Sequence, residues 1–241
     1  MTQIRLFRGP EHVCSYLPGR MARSVYVDTA VALDVHSYSS LAAQGFRRSG
    51  DLVYRPDCRG CAACVPVRIA AAQFAPNRSQ TRTLRGNADL SVAVRPAEFD
   101  EEHYQLFHRY LLARHEDGGM ADSSREDYMG FLGSSWANTH FVEFRQRDDG
   151  RLLAVAVVDR LKNGLSAVYT FFDPNEERRG LGTLAVLWQV AEARRLGLGW
   201  VYLGFWVEGC RKMNYKERFR PLDAWLGGHW LIHEKGEKIQ P

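Results

Sequence analysis

Between residues 169 and 206 the chain reads as strand, glycine turn, helix and strand, and this unit limits what the remainder can become. Tyr169-Thr170-Phe171-Phe172 is an aromatic run of strand type, broken at Asp173-Pro174-Asn175 by turn chemistry. Arg178, Arg179, Gly180 and Gly182 follow, and a helix is expected over 181–196. Leu181, Leu184, Ala185, Trp188 and Ala191 recur at helical spacing, while Val186, Leu187 and Val190 make the helix apolar nearly all round. Such a helix lies inside a large domain. Arg194 and Arg195 close it where cations suit the helix dipole, and Gly197 stops it. Trp200–Trp206 is then a continuous apolar run of strand length, which makes the unit an α/β crossover. A glycine turn opening a helix can also cradle phosphate, because unpaired N–H groups point outward there. The same residues also describe a plain strand-to-helix connection with two exposed arginines.

The flanking sequence supplies more sheet. Segments 141–144, 152–160 and 165–172 read as strands, with Asp149-Gly150 and Asn163-Gly164 as hairpin turns between them. An antiparallel meander should therefore feed the glycine turn. A strand is expected at 90–95 and helices at 98–116 and 124–132, with Gly118-Gly119 in a loop between the helices. Nearer the start lie a strand at 24–28, a helix at 34–44 capped by Asp34 and stopped by Gly45, and two short strands at 46–56 around Ser49-Gly50-Asp51. We read two regions, 1–75 with most of the cysteines and 76–241 with the crossover; 74–87 is the expected linker.

Of 241 residues, 45% are apolar and 25% charged, as in an ordinary soluble protein. No apolar run approaches the ~20 residues of a membrane helix, and the first residues lack a secretory signal, so a cytoplasmic location is expected. The net charge of +4 permits an anionic partner without requiring one. Four of five cysteines, Cys14, Cys58, Cys61 and Cys64, lie early in the chain. Four thiolates suit zinc or an iron–sulfur cluster; redox-sensitive or merely buried thiols fit the same spacing. Arg78, Arg82 and Arg85 stand at i, i+4 and i+7, a helical face that is either solvated or laid on phosphates. Residues 208–221 hold Arg211, Lys212, Tyr215, Lys216, Arg218 and Arg220, soon after the second crossover strand, where α/β proteins place ligands.

These residues resemble a known family. Cys14-Ser15-Tyr16-Leu17-Pro18, Phe46-Arg47-Arg48-Ser49-Gly50, Tyr54-Arg55-Pro56, Cys61-x-x-Cys64-Val65-Pro66-x-Arg68, Tyr169-Thr170-x-x-Asp173-Pro174, Leu181-Gly182-Thr183, Tyr202-Leu203-Gly204 and Lys212-Met213-x-Tyr215-Lys216-x-Arg218-Phe219-Arg220-Pro221 resemble the bacterial aspartate/glutamate leucyltransferases, relatives of the arginyl-tRNA–protein transferases. The resemblance spans nearly the whole chain. It implies an α+β or α/β fold, with the cysteine-containing region packed on a mixed sheet like that of the GCN5-related acetyltransferases. It implies transfer of leucine from leucyl-tRNA to proteins beginning with Asp or Glu, marking them for degradation by the N-degron pathway. No coenzyme is implied, and neither a membrane nor DNA is an expected partner. Eukaryotic relatives are linked to an iron–sulfur cluster through N-terminal cysteines, but Leu17 stands here where they have a second nearby cysteine. Glu177 occupies the position, three before Gly180, where acyl-CoA enzymes carry Arg or Gln. Rival readings are an arginyl donor, an acyl-CoA-dependent N-acyltransferase, and a non-enzymatic RNA-binding module.

For the site, an acidic acceptor calls for cations: Arg48, Lys212, Lys216 and Arg218. Arg178, Arg179, Gly180 and Gly182 are expected to meet the tRNA terminus. Tyr169, Asp173 and Tyr215 are the candidates to orient the amine or relay its proton.

Overall fold

A computed structural model describes residues 4–114 and 123–241. Most of the chain joins one mixed sheet. The elements in order are β1 (Leu6–Arg8), β2 (His12–Val13), β3 (Met21–Ala22), β4 (Ser24–Val27), α1 (Val35–Ala42), β5 (Arg47–Ser49), β6 (Leu52–Pro56) and β7 (Val65–Ala70). Then come α2 (Arg78–Arg85), β8 (Leu90–Pro96), α3 (Glu101–Arg114), α4 (Arg125–Leu132), β9 (Thr139–Gln146), β10 (Leu152–Arg160), β11 (Gly164–Phe172) and α5 (Leu181–Arg195). β12 (Trp200–Trp206), α6 (Arg211–Asn214), β13 (Leu222–Leu226) and β14 (His229–His233) complete the chain, with 3-10 turns at Pro174–Arg179 and Tyr215–Arg218. The loop expected at Gly118-Gly119 lies outside the described residues.

The large sheet runs β14-β13-β7-β12-β11-β10-β9-β8. All its pairs are antiparallel except β11 with β12, which the α5 crossover makes parallel. The expected meander is β9-β10-β11. β10 is buried on both faces, so it reads as a continuous apolar run, and alternation sends Ala154 and Ala156 to one side and Val155 and Val157 to the other. The first side meets α5, through Leu184, Leu187 and Val190. The second meets α3 and α4, through Leu106, Phe107, Tyr128 and Leu132. Among the described residues no helix is long and apolar enough to cross a membrane.

The early residues form a second, four-stranded sheet, β1-β4-β6-β5. It is not separate from the first. β7 inserts between β12 and β13, and Tyr38, Leu41, Phe46 and Val53 pack with Tyr202 and Trp230 of the large sheet. The stretch 74–87, where the arginine spacing suggested a helical face, holds α2. Asn77 and Gln80 form a reciprocal capping box at its start, and the helix packs against α5. The basic segment after β12 is one turn of α-helix followed by a 3-10 turn.

Candidate active site

β11 and β12 stay together only briefly. Their parallel ladder joins Gly164 to Trp200, Leu165 to Val201 and Ser166 to Tyr202, and then the strands part. A register shift on β12 between Tyr202 and Gly204 marks the place, with Gly204 at φ +79°. Parting frees the Ala167 and Val168 carbonyls, and Arg47 of β5 donates Nη2 to both, at 2.7 and 3.3 Å. The guanidinium lies against Gly204: a Cβ there would stand 2.7 Å from Arg47 Nη1. Glycine is therefore required on two counts, backbone angle and contact. Arg47 Nη1 itself is buried without a hydrogen-bond partner among the described residues.

One residue further along β12, the Phe205 carbonyl accepts from Lys216 Nζ at 2.6 Å, and Met213 Sδ lies 3.4 Å from the same nitrogen. Lys216 is buried, and no carboxylate among the described residues pairs with it. Burial first, and the Arg47 charge second, push its amine down to about 7, with Cys210 and Cys64 opposing. Much of it is therefore a neutral amine at physiological pH. The unfolded chain, with lysine at its ordinary 10.5, binds a proton in this range that the folded chain does not. Stability should therefore rise with pH from 7 toward about 10. Melting temperatures across that range should show the rise in the wild type and a flatter curve in Lys216→Met.

One phenol approaches this point. The Tyr215 ring centroid is 5.3 Å from Lys216 Nζ. Burial pushes the Tyr215 hydroxyl up to about 12, with Arg47 opposing and Tyr110 reinforcing, although the residue is 37% exposed. It is protonated at neutral pH even at its ordinary value of 10. Tyr169 packs edge-on to Phe107, Tyr110 and Phe131, and burial raises its hydroxyl too. Both phenols can donate hydrogen bonds near neutrality; neither is a base there.

Asp173 is engaged elsewhere. It is buried, caps the 3-10 turn by accepting from Asn175 N at 3.0 Å, and meets Arg151 at 3.4 Å. That geometry makes it a turn-forming residue rather than a group that could relay a proton. Arg48 requires a correction of the same kind. Its side chain and that of Asp159 expose no surface and pair at 2.7 Å. The Gly50, Gly133 and Leu132 carbonyls and the Thr139 hydroxyl take its other N–H groups. None remains for a substrate carboxylate. Strand alternation sends neighbours to opposite faces, so Arg47, which the sequence reading passed over, faces the parting strands instead.

The glycine turn is the second half of the site. Gly180 stands at φ +65° and opens α5 without a side-chain cap, unlike α1, α2 and α4, which use Asp34, Asn77 and Ser124. The first N–H groups of α5 are left facing outward. A Cβ at Gly182 would make only an ordinary 3.6 Å contact with Phe172, so the protein itself does not fill that space. Arg178 is exposed, but Arg179 is not available: it pairs with Glu176 and, through both terminal nitrogens, with Asp89. Lys212 and Arg218 are exposed in the same segment as Lys216. α2 links the two halves. Its Thr83 would lie 3.6 Å from a Cβ at Gly180, and its Gln80 donates to the Arg218 carbonyl at 3.1 Å.

Cys14, Cys58, Cys61 and Cys64 line one cavity of about 230 Å³ with Tyr16, Tyr54 and Phe205. Donors approach three of the sulfurs at 3.4 Å: Leu17 N on Cys14, Arg23 N on Cys58 and Arg20 Nη1 on Cys61. Burial, followed by the Cys58, Cys14 and Cys61 thiols, pushes Cys64 up to about 12. The donor set suits zinc or an iron–sulfur cluster in kind. Its geometry does not suit a single ion: among the described residues no three His, Cys, Asp or Glu side chains gather closely enough to hold one. Cys210, the fifth cysteine, is near enough to raise the Cys64 thiol further, a proximity that its distance in sequence concealed.

Two family models match this chain. Residues 12–82 match the family model described as arginine-tRNA-protein transferase, N terminus, and residues 102–226 match its C-terminus counterpart. The chain is 50% identical over 233 residues to the aspartate/glutamate leucyltransferase of Pseudomonas fluorescens, covering 96% of this chain and 98% of that one. It is 51% identical over 226 residues to the enzyme of the same name from Nitrosococcus oceani, covering 94% of each. A solved structure, L-PGS from Bacillus licheniformis, is similar at a TM-score of 0.46 with 12% identity, over 59% of this chain and 45% of that one, too distant to bear on function. With relatives this similar over nearly its whole length, the chain belongs to the arginine-tRNA-protein transferase family.

Proposed function

We propose that this protein moves leucine from leucyl-tRNA to the α-amine of proteins beginning with Asp or Glu, marking them for N-degron proteolysis in the cytoplasm. The relatives' shared name supports the donor and the acceptors. The observation that carries the chemistry is a buried lysine with no acidic partner among the described residues, beside an arginine with an unfilled donor, where β11 and β12 part.

The donor is already an activated ester, so the enzyme's tasks are to position two reactants and manage one proton. The acceptor α-amine, of pKa about 7.7–8.0, attacks the ester carbonyl once neutral. A C–N bond forms and the bond to the ribose oxygen breaks. The proton lost by nitrogen goes to Lys216 Nζ and on to the departing ribose oxygen. Arg47, with Lys212 and Arg218 at the rim, holds the acceptor carboxylate. Tyr169 and Tyr215 donate hydrogen bonds. The tRNA terminus meets Arg178, Gly180, Gly182 and the open N–H groups of α5.

Incubation with labelled leucyl- or arginyl-tRNA and peptides beginning with Asp, Glu or Ala tests the reading. Label from leucyl-tRNA should pass to the Asp and Glu peptides and leave the Ala peptide unlabelled. Transfer from arginyl-tRNA alone would replace leucine with arginine as the donor, and no transfer from either would reject the reading.

A further inference from the structure

We propose that the outer face of α2 is a docking surface for the phosphate backbone of a duplex RNA stem, the stem that adjoins the donor's aminoacylated end. The inference rests on the tRNA-dependent reading above.

Arg78, Arg82 and Arg85 are all exposed, and among the described residues none makes an ion pair. Several other surface arginines are matched: Arg8 with Asp57, Arg125 with Glu101, Arg151 with Glu176 and Arg195 with Glu192. α2 contains no acid, and Asp89 just beyond it is neutralised by Arg179. Of the other acids near its ends, Glu177 meets Arg114 at 3.5 Å and Glu217 is exposed beside Arg218.

The helix is held in place from behind. Gln80 donates to the Arg218 carbonyl, and Asn87, just past the helix, donates to the Arg179 carbonyl at 2.9 Å. One end of α2 is thereby fixed to the basic segment beside Lys216 and the other to the glycine turn. Arg178 and Arg218, both exposed, extend the positive face beyond each end. Seven residues of helix span about 10 Å, roughly three phosphates along one strand of a duplex. A stem laid there would deliver its end toward Gly180.

The test uses the full chain carrying Arg78→Gln, Arg82→Gln and Arg85→Gln together, a charged leucyl-tRNA, and a leucylated CCA trinucleotide that lacks a stem. The triple variant should bind leucyl-tRNA about 10- to 100-fold more weakly at 150 mM salt. Its slope of log affinity against log salt should be shallower by about 2 to 3. The rate at saturating tRNA and the use of the trinucleotide should be unchanged. Unchanged affinity and slope would overturn the proposal, as would an equal loss with the trinucleotide, which would mark general damage to the site. If the triple variant does not fold, each single substitution should lower the slope by about 0.9, and three unaltered slopes would overturn it. Because binding and its salt dependence need no chemistry, they remain decisive even if the wild type fails to transfer leucine, an outcome that counts against the functional reading alone.

Discussion

Lys216→Met is expected to lower the maximal rate of leucyl transfer at least 100-fold while leaving the affinity for leucyl-tRNA near that of the wild type. Positioned proton transfer contributes about 10² to 10⁴. Lys216 suits the role because three features coincide: a buried amine, no acidic partner among the described residues, and a carbonyl and a thioether as its contacts. With its amine near 7 and the acceptor α-amine at about 7.7–8.0, the wild-type rate should climb with pH and level near about pH 8, once both are neutral. In Lys216→Met the rate should keep rising with pH, as the acceptor loses its proton to solvent instead. Lys216→Arg separates this role from a purely attractive one. A permanent cation could still hold a carboxylate but could not accept a proton. A rate for Lys216→Arg equal to that of the wild type would remove the proton-acceptor role.

Asp159→Asn is expected to cost about 3–5 kcal/mol of stability, because it leaves the Arg48 guanidinium buried with its charge uncompensated. Arg48 ties β5 to the end of α4 and to β10, so the loss should loosen the second sheet from the first. Urea unfolding of wild type and variant measures it directly. A difference below about 1 kcal/mol would show the pair to be solvated, against its burial. Replacing both residues together with apolar ones of similar volume should recover much of the loss.

The frame was legible from residues because its signals are local. The Asp149-Gly150 and Asn163-Gly164 turns, the apolar helix after Gly180 and the run Trp200–Trp206 each fix their own backbone, and the sheet follows from joining them. The insertion of β7 between β12 and β13 is a long-range pairing with no local mark. The site was legible in part. Lys216 and Tyr215 were singled out through charge and aromatic density, and the structure sets them side by side. Arg47 was missed, although Phe46 and Arg48 share a strand face and Phe46 is plainly apolar; that alternation already directed Arg48 inward and Arg47 to the other side. Arg179 looked like a phosphate ligand only because Asp89, which pairs with it, is ninety residues earlier. No sequence signal revealed that Gly204 makes room for a guanidinium, since that depends on where β11 and β12 separate.

A crystal structure with an amide-linked leucyl-adenosine and a peptide beginning with Asp would probe the site most directly. The adenosine end should sit on the open start of α5 at Gly180 and Gly182, the peptide carboxylate on Arg47, and the peptide nitrogen within hydrogen-bond reach of Lys216 Nζ. Both ligands bound elsewhere, for instance in the apolar groove lined by Phe74, Leu84 and Trp188 on the other side of α5, would contradict the assignment.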